Sequence, residues 1–280
     1  MSPTNSRISN RAKSLPFLPS VATLLWVLVL TGCARPPWTE PVDEQRHQHL
    51  VAVYEQQREQ GRRCGDGFDG DMVLHWETSL DSVSLAGYYQ IQRPSSLRLT
   101  VANPLGQPLL AVASNGIDYQ VLHIPRRTFY SGSLRSYALR HQLPLPMLVG
   151  PWFDRLTGRP IGGGVRIEAV NDDRSGRGVW FSLVTDKEPS FPVEHLLLEP
   201  DGGGVVERIV VGEDGEMHAR VTYADWQPIG PCLQPLQVTV AGLSFWADAR
   251  ITFSDVQPAS LQASDFKLRA PAGYLRQLSP

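Results

Sequence analysis

Apolar and polar residues alternate with a period of two over most of the chain after Asp69. Because successive side chains of a β-strand point to opposite faces, this alternation predicts strands with one buried face. Turn signals at Asn103-Pro104-Leu105-Gly106 and Asn115-Gly116 separate the first strands. The pattern predicts strands over residues 83–91, 97–101, 117–121, 165–170, 179–184, 193–198, 205–211, 217–223, 236–240 and 245–253, with a short segment at 266–270 closing the sheet edge.

Three segments carry helical spacing instead. Thr39 offers an N-cap, acidic residues follow it, and apolar residues then recur at helical spacing, which predicts a helix over residues 39–60. The strand pattern breaks at Leu134, where a short helix is predicted, and residues 147–156 are predicted to form a second helical piece.

These elements define the fold class. The chain shows no repeat of fixed period and no second domain boundary, so we expect one mainly β (α+β) domain. Its core would be a single antiparallel sheet, interrupted in the middle by helices. A sheet of so many strands must curl to bury its apolar face. A curled sheet with a helical lid can enclose an apolar cavity.

The first 33 residues resemble a lipoprotein export signal. A basic stretch precedes an apolar run that is too short to span a bilayer comfortably. The run ends in Leu30-Thr31-Gly32-Cys33, which resembles the bacterial lipobox and implies cleavage before Cys33 and lipidation of that residue. Residues 1–32 are then a signal peptide, 33–38 a lipidated tether and 39–280 the folded domain. An uncleaved N-terminal membrane anchor is the alternative.

Charge and sequence context indicate the compartment and exclude some partners. The residue after Cys33 is Ala34 and not aspartate, which in lipoproteins of Gram-negative bacteria implies the outer membrane. The formal net charge is −2 and no basic patch stands out, so we expect no nucleic-acid partner. No later segment has 18 consecutive apolar residues.

The other two cysteines, Cys64 and Cys232, form an even pair in a chain expected to reach an oxidising compartment. This favours a disulfide, and two separate buried thiols are the alternative. Neither cysteine belongs to a Cys-x-x-Cys pair, so zinc and thioredoxin-like chemistry have no support.

The sequence gives no positive indication of catalysis. His47 and His49 would point to different faces of a helix, which makes a metal site there a weak hypothesis. The glycine runs at 162–164 and 202–204 lack the lysine and hydroxyl residue of a phosphate loop, and no nucleophile elbow occurs. We therefore expect a protein that is not an enzyme and needs no cofactor or metal.

Four motifs, taken in order, resemble the LolB family of outer-membrane lipoprotein receptors and, more loosely, the periplasmic LolA carriers. The Asn103-Pro104-Leu105-Gly106 turn after an alternating strand is the most specific of them. The motifs are the lipobox with a following Trp38-containing helix, the 99–106 segment, Leu143-Pro144-Leu145-Pro146 with Trp152 beyond it, and Val221-Thr222-Tyr223-Ala224-Asp225-Trp226.

The resemblance implies an unclosed β-barrel with a helical lid over an apolar cavity. It implies that the cavity holds acyl chains of lipoproteins, that Leu105 projects from its loop and helps insert cargo into the outer membrane, and that a LolA-like periplasmic carrier is a partner. The glycine-rich segment 159–204 is longer than the family pattern, so a paralogue with another lipid cargo is a competing hypothesis.

Two further alternatives remain open. Leu105 at a turn tip either projects into solvent or folds back onto the sheet. The protein could instead be a structural or assembly lipoprotein that docks a protein partner at the cell envelope, and a weaker hypothesis is a hydrolase whose site forms only in three dimensions.

Overall fold

The computed structural model describes residues 39–278, except residues 79, 104, 142, 144, 187–189, 203, 214 and 245–246. The signal peptide, Cys33 and the tether at 33–38 therefore lie outside the described residues. So do Pro104 and the aromatic pair Phe245 and Trp246. In the part of the chain that is described, no helix is both long enough and apolar enough to cross a bilayer.

The described strands form one sheet that is not closed into a barrel, as the alternation and the family resemblance predicted. Its order is β1-β8-β9-β10-β11-β12-β13-β14-β2-β3-β4-β5-β6-β7-β15. The strands are β1 (Thr39–Pro41), β2 (Gly67–Thr78), β3 (Ser82–Gln92), β4 (Ser96–Ala102), β5 (Pro108–Ser114), β6 (Asp118–His123), β7 (Thr128–Ser133), β8 (Val165–Asp173), β9 (Val179–Thr185), β10 (Pro192–Glu199), β11 (Gly204–Val211), β12 (Met217–Ile229), β13 (Cys232–Ser244), β14 (Ala247–Pro258) and β15 (Leu275–Leu278).

Four helices accompany the sheet in the described residues. They are α1 (Glu44–Arg62), α2 (Leu134–His141), α3 (Leu145–Leu148) and α4 (Trp152–Leu156). The main core lies between α1, α4 and one face of the sheet, which we call the inner face. Leu50 and Tyr54 of α1 and Phe153 of α4 are buried there against strand residues such as Phe181 and Leu196.

The first helix does not begin at Thr39, and that prediction is wrong. Residues Thr39–Pro41 pair with β8, where Thr39 lies opposite Asp173. The N-cap is Asp43, whose side chain accepts a hydrogen bond of 2.9 Å from the backbone N–H of Arg46. Because a carboxylate is as good a cap as a hydroxyl, both candidates fitted the sequence, and strand pairing decides between them.

The prediction that residues 266–270 form the closing strand is also wrong. Phe266 and Leu268 are buried, and Leu268 packs on Ala111 and Ala113 across the outer face of β5. The backbone N–H of Leu268 donates a 2.6 Å hydrogen bond to Oε1 of Gln120. The edge is formed instead by β15, which pairs with β7 in parallel, whereas every other described strand pair is antiparallel.

Candidate functional site

Helices α2, α3 and α4 connect β7 to β8 and cover part of the inner face; we call them the lid. The predicted helical piece at 147–156 is split into α3 and α4 by Gly150-Pro151. At Gly150, an added Cβ would lie 2.6 Å from Nη1 of Arg155, so a larger residue there would displace that guanidinium. The lid contacts both halves of the sheet, through α4 on β4 and through α3 on β11 and β12.

An apolar cavity of about 390 Å³ lies between the lid and strands β4, β5 and β6. Its volume is within the range typical of small-molecule sites. The lid contributes Leu134, Tyr137, Leu148 and Trp152. The rest of the wall is formed by Ser95 in the β3–β4 turn and by the strand residues Leu97, Leu110, Val112, Ser114, Tyr119 and Val121. The cavity is therefore bounded almost entirely by hydrocarbon and aromatic surface.

Several contacts hold the lid over this cavity. The Trp152 indole N–H donates a 2.9 Å hydrogen bond to the Leu148 carbonyl, which fixes α3 to α4. The rings of Tyr119 and Tyr137 meet edge to face with centroids 5.2 Å apart, which joins α2 to β6. Arg155 donates to the Pro146 carbonyl at the start of α3. Polar and aromatic contacts therefore hold the lid helices to one another and to β6.

A second and larger cavity, of about 890 Å³, lies on the opposite side of α2 and α3. Much of its wall is apolar, including Leu145, Ile161, Phe191, Val193 and Val211. Its charged or titratable lining residues are Arg135, Arg155, Glu213 and His218. The lid thus separates an apolar chamber from a larger one that contains cationic groups.

Beneath α4, charged side chains are buried in a cluster that the sequence analysis did not identify. Arg208 Nη1 lies 3.2 Å from Glu194 Oε2, and both side chains are fully buried. Arg93 Nη1 lies 2.7 Å from Asp154 Oδ1. The available signal was Arg208 itself, a cation in phase with buried Val210 within the apolar run of β11.

Burial controls the ionisation of this cluster. Loss of hydration raises the pKa of the Glu194 carboxyl above its ordinary value, although Arg208 and Arg155 oppose the change. Desolvation also raises the pKa of Asp154, against the attraction of Arg93. It lowers the pKa of Arg155 and of Arg159 to about 10, so both guanidinium groups remain charged at neutral pH.

Leu105 lies at the tip of the β4–β5 hairpin, and its side chain is 84% exposed. The loop is shaped by Asn103, whose Oδ1 accepts hydrogen bonds from the backbone N–H groups of Leu105 at 3.0 Å and Gln107 at 2.9 Å. Gly106 has a φ of +77°, which completes the turn. In the structure, Leu105 therefore projects into solvent and does not fold back onto the sheet.

Cys64 and Cys232 are joined in a disulfide with a Cα–Cα distance of 5.6 Å. The bond connects the C-terminal end of α1 to the start of β13. It lies beside a crevice lined by Gln57, Arg159 and Trp226, and not in the wall of either lid cavity.

Other polar groups from the sequence analysis remain apart from the lid. On α1, His49 is exposed and His47 is half-buried, and no cluster of three potential metal ligands occurs among the described residues. Ser182 Oγ and His195 Nδ1 are 2.9 Å apart, but they are neighbours on adjacent strands on the face opposite Phe181. Strand pairing accounts for their proximity without a catalytic role.

No protein-family model matches the chain, and no curated protein matches it by sequence. Among solved structures, it is similar to a LolA superfamily protein from Nitrosomonas europaea, with 11% identity and a TM-score of 0.53 over 78% of this chain and 97% of that chain. It is also similar to a DUF1329 family protein from Desulfovibrio piger, with 10% identity and a TM-score of 0.54 over 78% of this chain and 97% of that chain. These similarities confirm the predicted resemblance at the level of the fold.

Proposed function

We propose that this protein is a lipid-anchored, non-enzymatic carrier or receptor that binds acyl chains of lipoproteins or other lipids beneath its lid and helps deliver them to the outer membrane. The observation that carries the proposal is the apolar cavity of about 390 Å³ between the lid and strands β4–β6. Its lining offers hydrocarbon surface and few polar groups, which suits acyl chains. The fold shared with a LolA superfamily protein supports the same assignment.

Binding would draw its free energy from removing acyl methylene groups from water. Each buried CH₂ contributes about 0.8 kcal/mol before the cost of ordering the chain. The leading end of the chain would lie against Leu110 and Val112 on the sheet and Tyr137 on the lid. This process needs no covalent step, cofactor or metal.

Delivery would use the exposed leucine at the β4–β5 hairpin. Asn103 Oδ1 fixes the loop by accepting a hydrogen bond from the backbone N–H of Leu105. The exposed Leu105 side chain can therefore meet a bilayer without first leaving the core. The same strands, β4 and β5, line the apolar cavity, which places the cavity wall in continuity with the hairpin. The chain would be tethered to the periplasmic side of the outer membrane through Cys33, and a LolA-like periplasmic carrier is the partner that this proposal expects.

Mass spectrometry of co-purifying lipids would test acyl binding. The full chain carrying Cys33→Ala would be purified without an attached anchor and compared with a second variant, Val112→Trp, made in the same background. The indole would occupy the cavity, and we expect acyl lipid on the parent protein and its loss from this variant. Val73→Trp is the matched control, because Val73 is an exposed strand residue outside the cavity wall.

A folded parent protein that carries no lipid and takes up none when lipid is added would overturn the proposal. The alternative of a lipoprotein that docks a protein partner would then be preferred. Equal lipid retention in the Val112→Trp and Val73→Trp proteins would show that the acyl chains lie elsewhere.

A further inference from the structure

The interior beneath the lid contains more arginine than carboxylate. Arg155, Arg159 and Arg208 are buried, and the side chain of Arg93 is only 20% exposed. Against these four cations, the buried acids of the same cluster are Asp154 and Glu194. Because an uncompensated buried charge is costly, a surplus of this kind favours the binding of a negatively charged ligand.

The ion pairs identify which arginines have an acid within 4 Å. Arg93 pairs with Asp154, and Arg208 pairs with Glu194. Arg155 and Arg159 form no ion pair of their own with an acid in the described part of the chain. Arg159 is accommodated by the rings of Phe68 and Phe153, with its guanidinium carbon 5.0 and 5.2 Å from their centroids.

Of these two arginines, Arg155 lies in the wall of the larger cavity, whereas Arg159 borders the crevice beside the disulfide. Arg155 is 4% exposed, and its Nε has no hydrogen-bond partner. One further nitrogen donates to the Pro146 carbonyl, a neutral group that cannot balance the charge. The acid that lines the same cavity, Glu213, is exposed at the β11–β12 turn, where solvent screens it.

The remainder of that wall determines what kind of anion fits. Leu145, Ile161, Val193 and Val211 present apolar surface next to Arg155. A small inorganic anion would leave this surface without a partner, whereas an acyl chain alone would leave the guanidinium without one. A molecule that has both an acyl chain and an anionic head satisfies both parts of the wall.

We propose that the larger cavity binds an amphiphile with an acyl chain and an anionic head, and that Arg155 receives the head. This inference goes beyond the proposed function, which places acyl chains in the smaller cavity, and adds a second site with its own ligand class. The acyl groups of a lipoprotein are joined through ester and amide links, which are neutral and would leave Arg155 unpaired. A fatty acid carboxylate and a phospholipid phosphate share the required chemistry.

The test compares ligands that have the same chain and different heads. Dodecanoate, dodecyl phosphate and dodecanol would each compete with a fluorescent acyl probe on the full chain carrying Cys33→Ala. We expect at least one of the two anionic ligands to bind roughly tenfold or more tightly than dodecanol, because a charge-assisted hydrogen bond to a buried donor is strong. Whichever anion binds more tightly indicates whether the source is a fatty acid or a phospholipid. Acetate and inorganic phosphate, which lack the chain, should not compete.

Variants then assign the preference to a residue. Arg155→Gln should lose the preference for the anionic ligands and keep dodecanol binding. Arg166→Gln, at an exposed position of β8 outside the cavity lining, should keep both. The comparison of heads on the parent protein needs no variant, so it remains decisive even if Arg155→Gln fails to fold.

Three outcomes would overturn the inference. Equal affinity for dodecanol and both anionic ligands would show that the protein does not recognise an anionic head, and it would leave the proposed acyl binding intact. Competition by inorganic phosphate as strong as that by dodecyl phosphate would indicate a free-anion site. A preference that survives in a folded Arg155→Gln protein would show that the head lies elsewhere. Binding of none of the three chains would instead contradict the proposed function.

Discussion

Leu105 illustrates how much a single side chain can contribute when its loop is fixed. The hydrogen bonds that Asn103 Oδ1 accepts from the backbone N–H groups of Leu105 and Gln107 stabilise the turn without help from the leucine side chain, so packing does not explain an apolar residue there. An exposed apolar residue on a rigid tip has little cost beyond its own hydration, and it gains free energy on entering a bilayer. The residue can therefore be changed without affecting the core.

We expect Leu105→Glu to fold normally and to impair transfer of bound lipid to membranes. A carboxylate at the tip would have to be dehydrated to enter the bilayer, which opposes insertion. Transfer of labelled lipid from protein to vesicles would be followed over time, with thermal unfolding as the check on folding. Ile117→Glu is the matched control, since Ile117 is also an exposed turn residue but lies at the opposite end of β5. Unchanged lipid transfer by the Leu105→Glu protein would show that Leu105 has no role in delivery.

The pair Glu194–Arg208 represents the opposite case, a contact that no solvent reaches. Each charge depends on the other, so removing one partner leaves an uncompensated ion inside the protein. Arg208 also donates to the Arg159 carbonyl, which connects β11 to the segment that follows α4. The pair therefore links the sheet to the chain beneath the lid.

We expect Glu194→Gln to lower the free energy of unfolding by about 3–5 kcal/mol, and the double change Glu194→Gln with Arg208→Met to cost less than the two single changes together. Urea unfolding at neutral pH would measure all four proteins. Additive costs would contradict the coupling. Burial raises the pKa of Glu194 in the folded state, so between the ordinary value and that raised pKa the native protein holds a proton that the unfolded chain releases, and above it the carboxylate is ionised and pairs with Arg208. The destabilising contribution from this carboxyl should therefore grow as pH rises above its ordinary value of 4.5, and the double variant should lack it.

The hydrophobic pattern of the sequence predicted the strands that have one buried face and one exposed face. Strand β12 alternates cleanly through Ala219, Val221 and Tyr223, because one side faces the core and the other faces solvent. Strand β5 was missed because it is apolar on both sides. Val112 lines the cavity while Ala113 packs under Leu268, so its sequence is a continuous apolar run.

Edges and junctions were less predictable because their conformation depends on distant partners. Strand β15 has four exposed residues and no alternation of burial, and it is a strand only because β7 offers it hydrogen bonds. The start of α1 likewise depends on the pairing of Thr39–Pro41 with β8.

For the candidate site, Leu105 and the cysteine pair could be identified from local sequence. The cluster around Arg155 could not, because its members come from the β3–β4 turn, α4 and the segment after it, β10 and β11, and meet only in the folded chain.

At the scale of the whole molecule, the sheet is one continuous surface made from two distant parts of the sequence. Strands β2–β7 form one half and β8–β14 the other, and the long pairing of β2 with β14 joins them. The disulfide spans the same division, since Cys64 precedes β2 and Cys232 begins β13. It encloses a loop of 168 residues that includes the entire lid.

Reduction of this disulfide should destabilise the protein substantially. We expect Cys64→Ala with Cys232→Ala to lose about 2–5 kcal/mol of unfolding free energy, because the unfolded chain regains the freedom that a long closed loop had removed. Urea unfolding of this double variant and of the reduced parent protein should give matching midpoints. Identical midpoints for the oxidised and reduced parent proteins would show that the bond contributes no stability.

The lid joins β7 to β8 at the open side of the sheet, and the two halves are already fastened together elsewhere. If the backbone were cut between α2 and α3, the N-terminal piece would keep β1, β2 and β7, each paired to a strand of the C-terminal piece. The bond between Cys64 and Cys232 would then be the covalent connection between the pieces. The protein could thus be made as two polypeptides whose union depends on thiol oxidation, which would make this scaffold a reporter for the redox state of the compartment where they meet.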